Sequence, residues 1–95
     1  MARDDLDVQD QPEQSRWEAT VGGEPAGFAE YRRDGARIVF THTVVDPAHE
    51  GEGVGSALAR AALDDARAQG LAVVPRCSFI RGWIDKHPDY ADLVA

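Results

Sequence analysis

The sequence predicts an α+β domain in which helices cover a mostly antiparallel sheet. Two strand-like segments are joined by Asp34-Gly35, a dipeptide typical of tight hairpins. An alanine-rich segment with helical periodicity comes next along the chain, and a short apolar segment follows that helix. At 95 residues the chain has the length of one domain with one modest core.

The composition is typical of a soluble folded protein, 43% hydrophobic and 28% charged. No stretch has the roughly 18 apolar residues of a membrane span, and the first residues lack the apolar run of a signal peptide, so we expect a cytoplasmic protein. We also expect a monomer or a weak dimer. A net charge of -7 repels nucleic acid and anionic membranes, which excludes both as expected partners and is compatible with a cationic substrate. One cysteine and three scattered histidines predict no metal site.

The N-terminal part of the chain gives two different signals. Residues 1–14 are polar and acidic and show no regular period, which predicts a flexible tail before a single domain over residues 15–95. From Ser15 to Val21, Trp17 and Ala19 alternate with polar residues, as in a half-buried strand. The glycine pair at 22 and 23 then predicts a turn.

The next two strands form the predicted hairpin. The first runs from Pro25 to Arg33 and leads into the Asp34-Gly35 turn. The second, Arg37 to Val45, is apolar or β-branched on both faces. That pattern predicts a central strand that is covered on both sides.

The rest of the chain predicts a crossover and a covering helix. Val54 to Gln69 has one apolar helical face, and Gly70 is a natural C-terminal cap. Leu71 to Val74 is a short strand, parallel to the preceding one because a helix joins them. Ser78 to His87 then predicts a short C-terminal helix, with Phe79, Ile80 and Trp83 as packing residues.

A glycine-rich loop precedes the main helix. Gly51, Gly53 and Gly55 occupy alternate positions, so the backbone can fold tightly and approach a ligand closely. The helix N-terminus that follows offers unpaired N–H groups to an anion. The loop lacks the lysine of a Walker motif and the G-x-G-x-x-G spacing of a dinucleotide site. A glycine-rich turn that only starts a helix remains the alternative.

This loop resembles the GNAT superfamily of N-acetyltransferases, whose motif is glutamine or arginine, two variable residues, glycine, one variable residue, then glycine or alanine. The aligned stretch is Glu50 to Gly55. The chain is most similar to the small single-domain YjdJ-like branch, which carries a His-Thr-x-Val strand end and a lone cysteine after the next strand. His42-Thr-Val-Val and Cys77 match these two features, and the resemblance runs from about Gly23 to Val94.

The resemblance implies a compact GNAT-like fold, acetyl-CoA as the acyl donor substrate, an unidentified amine as the acceptor, and no metal. It also implies that coenzyme A binds to the backbone of Val44 and Val45 and to the loop and helix start. The implied coenzyme-binding residues there are Glu50, Gly51, Glu52, Gly53, Val54, Gly55 and Ser56. Two departures matter: Glu50 replaces the usual arginine or glutamine, and Val44 stands where relatives often have glutamate.

Cys77 and His42 are the candidate catalytic residues, and each has a simpler interpretation. Cys77 is an acid or acyl carrier in one reading and a small buried hydrophobic residue in the other. His42 is of a residue type suited to act as a base near neutral pH, but a structural histidine with one hydrogen bond is the favoured interpretation, because no partner carboxylate lies at a recognisable spacing. An acyl-CoA binding module with little or no catalysis is therefore the alternative to an enzyme, and a protein interaction domain without a ligand is a third reading.

Overall fold

The structure, a computed structural model, describes residues 5–95 and contains one five-stranded sheet in the order β1-β2-β3-β4-β5. The elements are β1 (Leu6–Gln11), β2 (Arg16–Val21), β3 (Glu24–Asp34), β4 (Arg37–Val45), α1 (Val54–Ala68), β5 (Ala72–Pro75) and α2 (Ser78–Lys86). Short 3-10 turns occupy Pro12–Gln14, Pro47–His49 and Pro88–Leu93.

The predicted α+β class and order of elements are confirmed. Strands β1 to β4 pair in antiparallel fashion, and β5 pairs with β4 in parallel after the α1 crossover. Gly70 follows the end of α1 with φ of 70°, and the Leu71 N–H donates to the Ala66 carbonyl at 2.9 Å. This left-handed glycine ends the helix because a residue without Cβ adopts that conformation at little cost.

The expectation of a flexible tail over residues 1–14 requires correction. Leu6–Gln11 forms β1, which pairs with β2, and residues 1–4 lie outside the described part of the chain. The Tyr31 hydroxyl donates to Asp10 Oδ1 at 2.7 Å and so links β3 to β1 across the intervening β2. Burial, and then this hydrogen bond, raises the pKa of Tyr31 to about 12. The alternation of Leu6 and Val8 is too short to stand out among acidic neighbours, so only the pairing with β2 reveals the strand.

The hydrophobic core lies on one face of the sheet, beneath both helices. Ile38 and Phe40 of β4 pack in one cluster with Leu63 of α1 and Ile80 of α2. A second cluster joins the first turns of α1 to β2 and β3, with Leu58 fully buried. Each large side chain buried here contributes about 1.5 to 3 kcal/mol of apolar transfer free energy.

The prediction that β4 is covered on both sides is wrong. Both helices pack on the face that carries Ile38 and Phe40, while His42 and Val44 on the other face are exposed. β-Branched side chains favour a strand whether or not the second face is covered, so the sequence pattern could not distinguish these cases. The sheet is therefore one layer of a two-layer structure, with an open face.

A bulge divides β4 into two halves. Tyr31 pairs with Phe40 and Glu30 pairs with His42, so Thr41 is an extra residue in β4. One extra residue reverses the alternation of side chains along the strand. Thr43 and Val45 therefore share the helix-covered side with Phe40, and His42 turns to the open face.

The C-terminal segment closes against β5 and α1. Val94 forms a parallel bridge with Val73, and the Ala95 N–H donates to the Val73 carbonyl at 2.8 Å. The Tyr90 hydroxyl donates to Asp64 Oδ1 of α1 at 2.7 Å, and this bond raises the pKa of Tyr90. Across residues 5–95, neither helix combines the length and apolar character that crossing a bilayer requires.

Candidate functional site

The pairing between strands β4 and β5 ends halfway along β4. They pair only from Arg37 to Phe40, opposite Ala72–Pro75. The chain then leaves the sheet, where the Arg76 N–H donates to the Val74 carbonyl at 3.1 Å. Because β4 continues to Val45, its second half lies beyond the end of β5. The sheet therefore has an opening at this point, which we call the strand opening.

Cys77 lies at the apex of the strand opening. Its backbone N–H donates to the Phe40 carbonyl at 2.9 Å, and its thiol donates to Thr43 Oγ1 at 3.3 Å. The residue is 7% exposed and forms the N-terminal cap position of α2. Two contacts to β4, one on each side of the Thr41 bulge, thus fix the position of the sulfur.

The bulge also decides which backbone groups line the strand opening. The Asp46 N–H donates to the Ala26 carbonyl of β3, so by alternation the backbone of Val44 faces β3 as well. The backbones of Thr43 and Val45 face the opposite way, towards the strand opening. Of the two valines expected to bind coenzyme A, only Val45 presents its backbone there, and Thr43 is the second such residue.

The side chain of His42 lies on the open face of the sheet and is 71% exposed. Its Nδ1 atom lies 3.3 Å from Glu30 Oε1 on the neighbouring strand β3. Because Thr43 and Cys77 lie on the helix-covered side, the backbone of β4 separates the two candidate catalytic side chains. The structure therefore does not bring His42 and Cys77 together.

The glycine-rich loop leads directly into the N-terminus of α1. Gly51 and Gly53 have φ of 79° and 84°, in the left-handed region that favours glycine. The preceding turn is held by the Ala48 N–H, which donates to Asp46 Oδ1 at 2.9 Å. Gly53 is the N-cap residue and makes no side-chain cap, so the N–H groups of the first turn of α1 are oriented towards the loop. With the positive end of the helix dipole, they favour an anion.

The three glycines have different roles, which their equal spacing does not reveal. A Cβ atom on Gly55 would lie 2.7 Å from Cζ of Phe79, so this glycine makes room for the aromatic ring of α2. Ser56 Oγ accepts a hydrogen bond from Trp83 Nε1 at 2.9 Å and keeps its own O–H for a further acceptor. Two residues of α2 therefore pack against the first turn of α1, and Phe79 remains 40% exposed beside it.

The acidic side chains of the loop differ in their surroundings. Glu50 is exposed, whereas Glu52 Oε1 lies 2.9 Å from Nδ1 of His49. The other ring nitrogen of His49 lies 3.7 Å from Glu24 Oε1, at the start of β3. The hydrogen bond to Glu52 raises the pKa of His49, and the charges of Glu24 and Asp46 act in the same direction. His49 thus ties the loop to the sheet, while Val54 is buried below it.

We predict that His49 makes the stability of the protein depend on pH. A raised pKa in the folded state means that its contribution is present when the ring is protonated and is lost as pH rises through that pKa. The difference in melting temperature between the wild type and His49→Gln should therefore be larger near about pH 6 than near about pH 8.5. Equal differences at the two pH values would contradict this role.

The sequence interpretation missed Thr43 and Phe79 as residues of this region. The His-Thr-Val-Val motif was the feature of the sequence that could have pointed to Thr43. Its contact with Cys77, however, depends on the bulge. Phe79 was expected to pack, and its exposure beside Gly55 depends on how α2 docks. Within residues 5–95, histidine, cysteine and carboxylate side chains form no group of three that could hold a metal ion.

Comparison with known proteins gives a consistent result. The family model described as GCN5-related N-acetyl-transferase matches residues 16–93. The solution structure of a Staphylococcus aureus protein described as GCN5-like has a TM-score of 0.74 and 24% identity, over 98% of this chain and 91% of that one. The crystal structure of Ard1 from Thermoplasma volcanium has a TM-score of 0.57 and 30% identity, over 64% of this chain and 43% of that one. Comparison with curated protein sequences gave no significant match.

Proposed function

Because the chain belongs to the GCN5-related N-acetyltransferase family, we propose that it transfers an acetyl group from acetyl-CoA to an amine. One observation carries the proposal: Cys77 lies at the apex of the strand opening, and the uncapped N-terminus of α1 lies past the end of the same strand β4. A helix N-terminus that favours an anion lies at one end of this strand edge, and a thiol lies at the other. The pair suits a long acyl thioester that carries a pyrophosphate.

In this proposal the pyrophosphate binds to the loop from Glu50 to Gly53 and to the first turn of α1. Contacts come chiefly from backbone N–H groups, so an acidic residue at position 50 weakens binding without abolishing it. The hydroxyl of Ser56 donates to a phosphate oxygen while Trp83 fixes its position. The pantetheine arm pairs with the backbone of Thr43 and Val45 as an added strand would. Its thioester then reaches Cys77.

The proposed chemistry is direct attack of a neutral amine on the thioester carbonyl. A bond forms between nitrogen and the carbonyl carbon, the carbon–sulfur bond breaks, and the coenzyme leaves as a thiolate. Cys77 gives its proton to that thiolate and regains one from water, and the proton lost by the amine passes to water or to His42. In a second version the Cys77 sulfur accepts the acetyl group while its proton goes to the departing coenzyme thiolate. The amine then takes the acetyl group from Cys77, and the proton of the amine returns to the Cys77 sulfur.

Coenzyme binding is tested by melting curves with and without coenzyme A. A ligand at about 100 times its dissociation constant stabilises the folded state by roughly 2.7 kcal/mol. We predict that the wild type shows such a shift, and that Gly53→Val abolishes it, because valine disfavours a φ of 84°. Circular dichroism must first show that the variant folds. A folded Gly53→Val protein that binds normally would remove the loop from the site.

An acyl-CoA binding module with little or no catalysis is the second candidate. It is favoured by the position of His42, which β4 separates from Cys77, and by Val44, which supplies no carboxylate to the exposed face of that strand. Incubation with labelled acetyl-CoA and a pool of amines separates the two candidates. Labelled amide supports the enzyme, whereas a coenzyme-dependent melting shift without labelled product supports the binding module.

The sequence supports further parts of the proposal. We propose that the protein acts in the cytoplasm, as a monomer or weak dimer, without nucleic acid or membrane partners. The net charge of -7 supports the exclusion of polyanionic partners. Residues 15–95 remain the predicted extent of the functional domain, with β1 as an added strand of its sheet.

A further inference from the structure

The open face of the sheet contains a cavity of about 470 Å³ at the ends of β2, β3 and β4. It lies where the β2–β3 pairing shifts between Ala19 and Thr20, a second irregularity of the sheet. The Thr41 bulge supplies the cavity wall from β4, because it turns Val44 towards this face. A volume of this size suits a small molecule or one long side chain.

The floor of the cavity is apolar. Phe28 of β3 and Val44 of β4 are directly opposite each other in the strand register and both line the cavity, as does Pro47. Val44 is 47% exposed and is one of the exposed large apolar side chains in the described part of the chain. An apolar group bound here would cover Val44 and the edge of the Phe28 ring.

The walls of the cavity are acidic. Glu18 and Asp46 line it, and Arg16 is the basic residue among its lining residues. The guanidinium of Arg16 lies 2.7 Å from Glu18 Oε2 and 4.8 Å from the centroid of the Phe28 ring, so Glu18 offsets its charge. Asp46 accepts the Ala48 N–H through Oδ1, which leaves Oδ2 for another donor. The lining therefore has a negative charge in excess.

We propose that this cavity binds the acceptor amine as an ammonium ion on an apolar arm. The ammonium ion would bind to Asp46, because the charge of Glu18 already offsets that of Arg16, and the arm would lie on Phe28 and Val44. The negative charge of the whole chain attracts the same class of molecule. This inference rests on the proposed acetyl transfer, since it names the substrate class of that reaction.

The position of the cavity suits the proposed chemistry. Val44 lines the cavity, and the backbones of the adjacent Thr43 and Val45 face the strand opening at the edge of the sheet. Beyond β5 this part of β4 is an exposed edge, so in this proposal the amine would pass around that edge to reach the thioester. His42 lies on the same face as Val44, outside the lining of the cavity, with its Nδ1 atom 3.3 Å from Glu30 Oε1.

The test uses backbone amide NMR spectra of the ¹⁵N-labelled protein without coenzyme. Two probes are amines: 2-phenylethylamine represents a small free amine, and Nα-acetyl-lysine methylamide represents a lysine side chain. The third probe, 3-phenylpropionate, has the same apolar body as 2-phenylethylamine but carries a negative charge. We expect one or both amines to shift the amide signals of Thr20, Phe28 and Val44. The carboxylate should leave these signals unchanged.

Three variants identify the contacts. Asp46→Asn keeps the acceptor for the Ala48 N–H and removes one charge, so the dissociation constant of the amine should rise about fivefold. Val44→Glu adds a carboxylate to the floor and should lower that constant by a similar factor. Asp34→Asn, at the far end of β3, is the matched control and should have no effect.

Amine binding in this test is measured without coenzyme, and coenzyme binding is measured separately by melting curves, so failure of one proposal can be distinguished from failure of the other. Shifts by both amine and carboxylate, shifts at other residues, or an unchanged constant in Asp46→Asn would each overturn the inference. If neither amine binds although coenzyme A stabilises the protein, the acceptor site is elsewhere and the proposed function stands. If amines bind but coenzyme A does not, the proposed function fails and the cavity remains an amine site.

Discussion

Replacement of Cys77 by alanine is expected to lower the turnover number by about 100-fold or more and to leave the affinity for coenzyme A nearly unchanged. The thiol lies at the apex of the strand opening and donates to Thr43 Oγ1 at 3.3 Å, a contact that fixes the position of the sulfur. Loss of an acid that acts only in the transition state lowers the rate and leaves coenzyme binding intact. The measurement is the acetylation rate across pH, together with a coenzyme titration.

A packing role for Cys77 gives the opposite result. The residue also belongs to the main core cluster, and a small cavity there would cost about 1 kcal/mol of stability and leave the pH–rate profile unchanged. Thr43→Val is a second test, because it removes the acceptor of the thiol proton and keeps a β-branched side chain. If the thiol is the acid, this variant should change the pH dependence of the rate while keeping most of the activity. Labelled acetyl retained on wild-type protein and absent from Cys77→Ala would identify the covalent version.

Replacement of Gly27 by alanine is expected to destabilise the protein by about 2 to 3 kcal/mol. A Cβ atom at this position would lie 2.6 Å from the carbonyl oxygen of Val44 and 3.1 Å from Val54 Cγ1. The closer neighbour is backbone, which cannot rotate away as a side chain does. Relief requires β3 and β4 to separate at the point where β4 passes into the glycine-rich loop.

Thermal unfolding followed by circular dichroism measures this effect. A loss of this size lowers the melting temperature of a domain of this length by about 10 °C or more. Gly82→Ala is the matched control: in α2, a Cβ there would meet no described atom within 4 Å beyond its own helix and chain neighbours. That variant should gain about 0.5 to 1 kcal/mol from helix propensity. A melting temperature that is unchanged in Gly27→Ala would mean that β3 and β4 are not packed so closely.

Gly27 also connects stability with the proposed activity. Its neighbours are Val44, which lines the cavity on the open face, and Val54, which begins α1. A shift of β4 by a few tenths of an ångström would move both the strand edge and the helix N-terminus. Any Gly27→Ala protein that still folds should therefore bind coenzyme A more weakly than Gly82→Ala does.

Local signals in the sequence determined most of the fold and one end of the candidate site. Alternation and the Asp34-Gly35 turn specified the β2–β3–β4 meander, because turn residues and strand period act over a few residues. Helical periodicity and Gly70 specified α1 to within a residue. The glycines at 51 and 53 are in the left-handed conformation that the loop requires, a property of the residue type itself.

Tertiary structure alone decided the features that depend on pairing between distant segments. β1 is a strand because β2 offers it a partner, and its own acidic sequence gives little sign of that pairing. The extra residue at Thr41 sets the register against β3, and that register places Thr43 beside Cys77 and sends His42 to the open face. A shift of one residue reverses every side chain beyond it, so the side of β4 on which a residue acts is a property of the folded sheet.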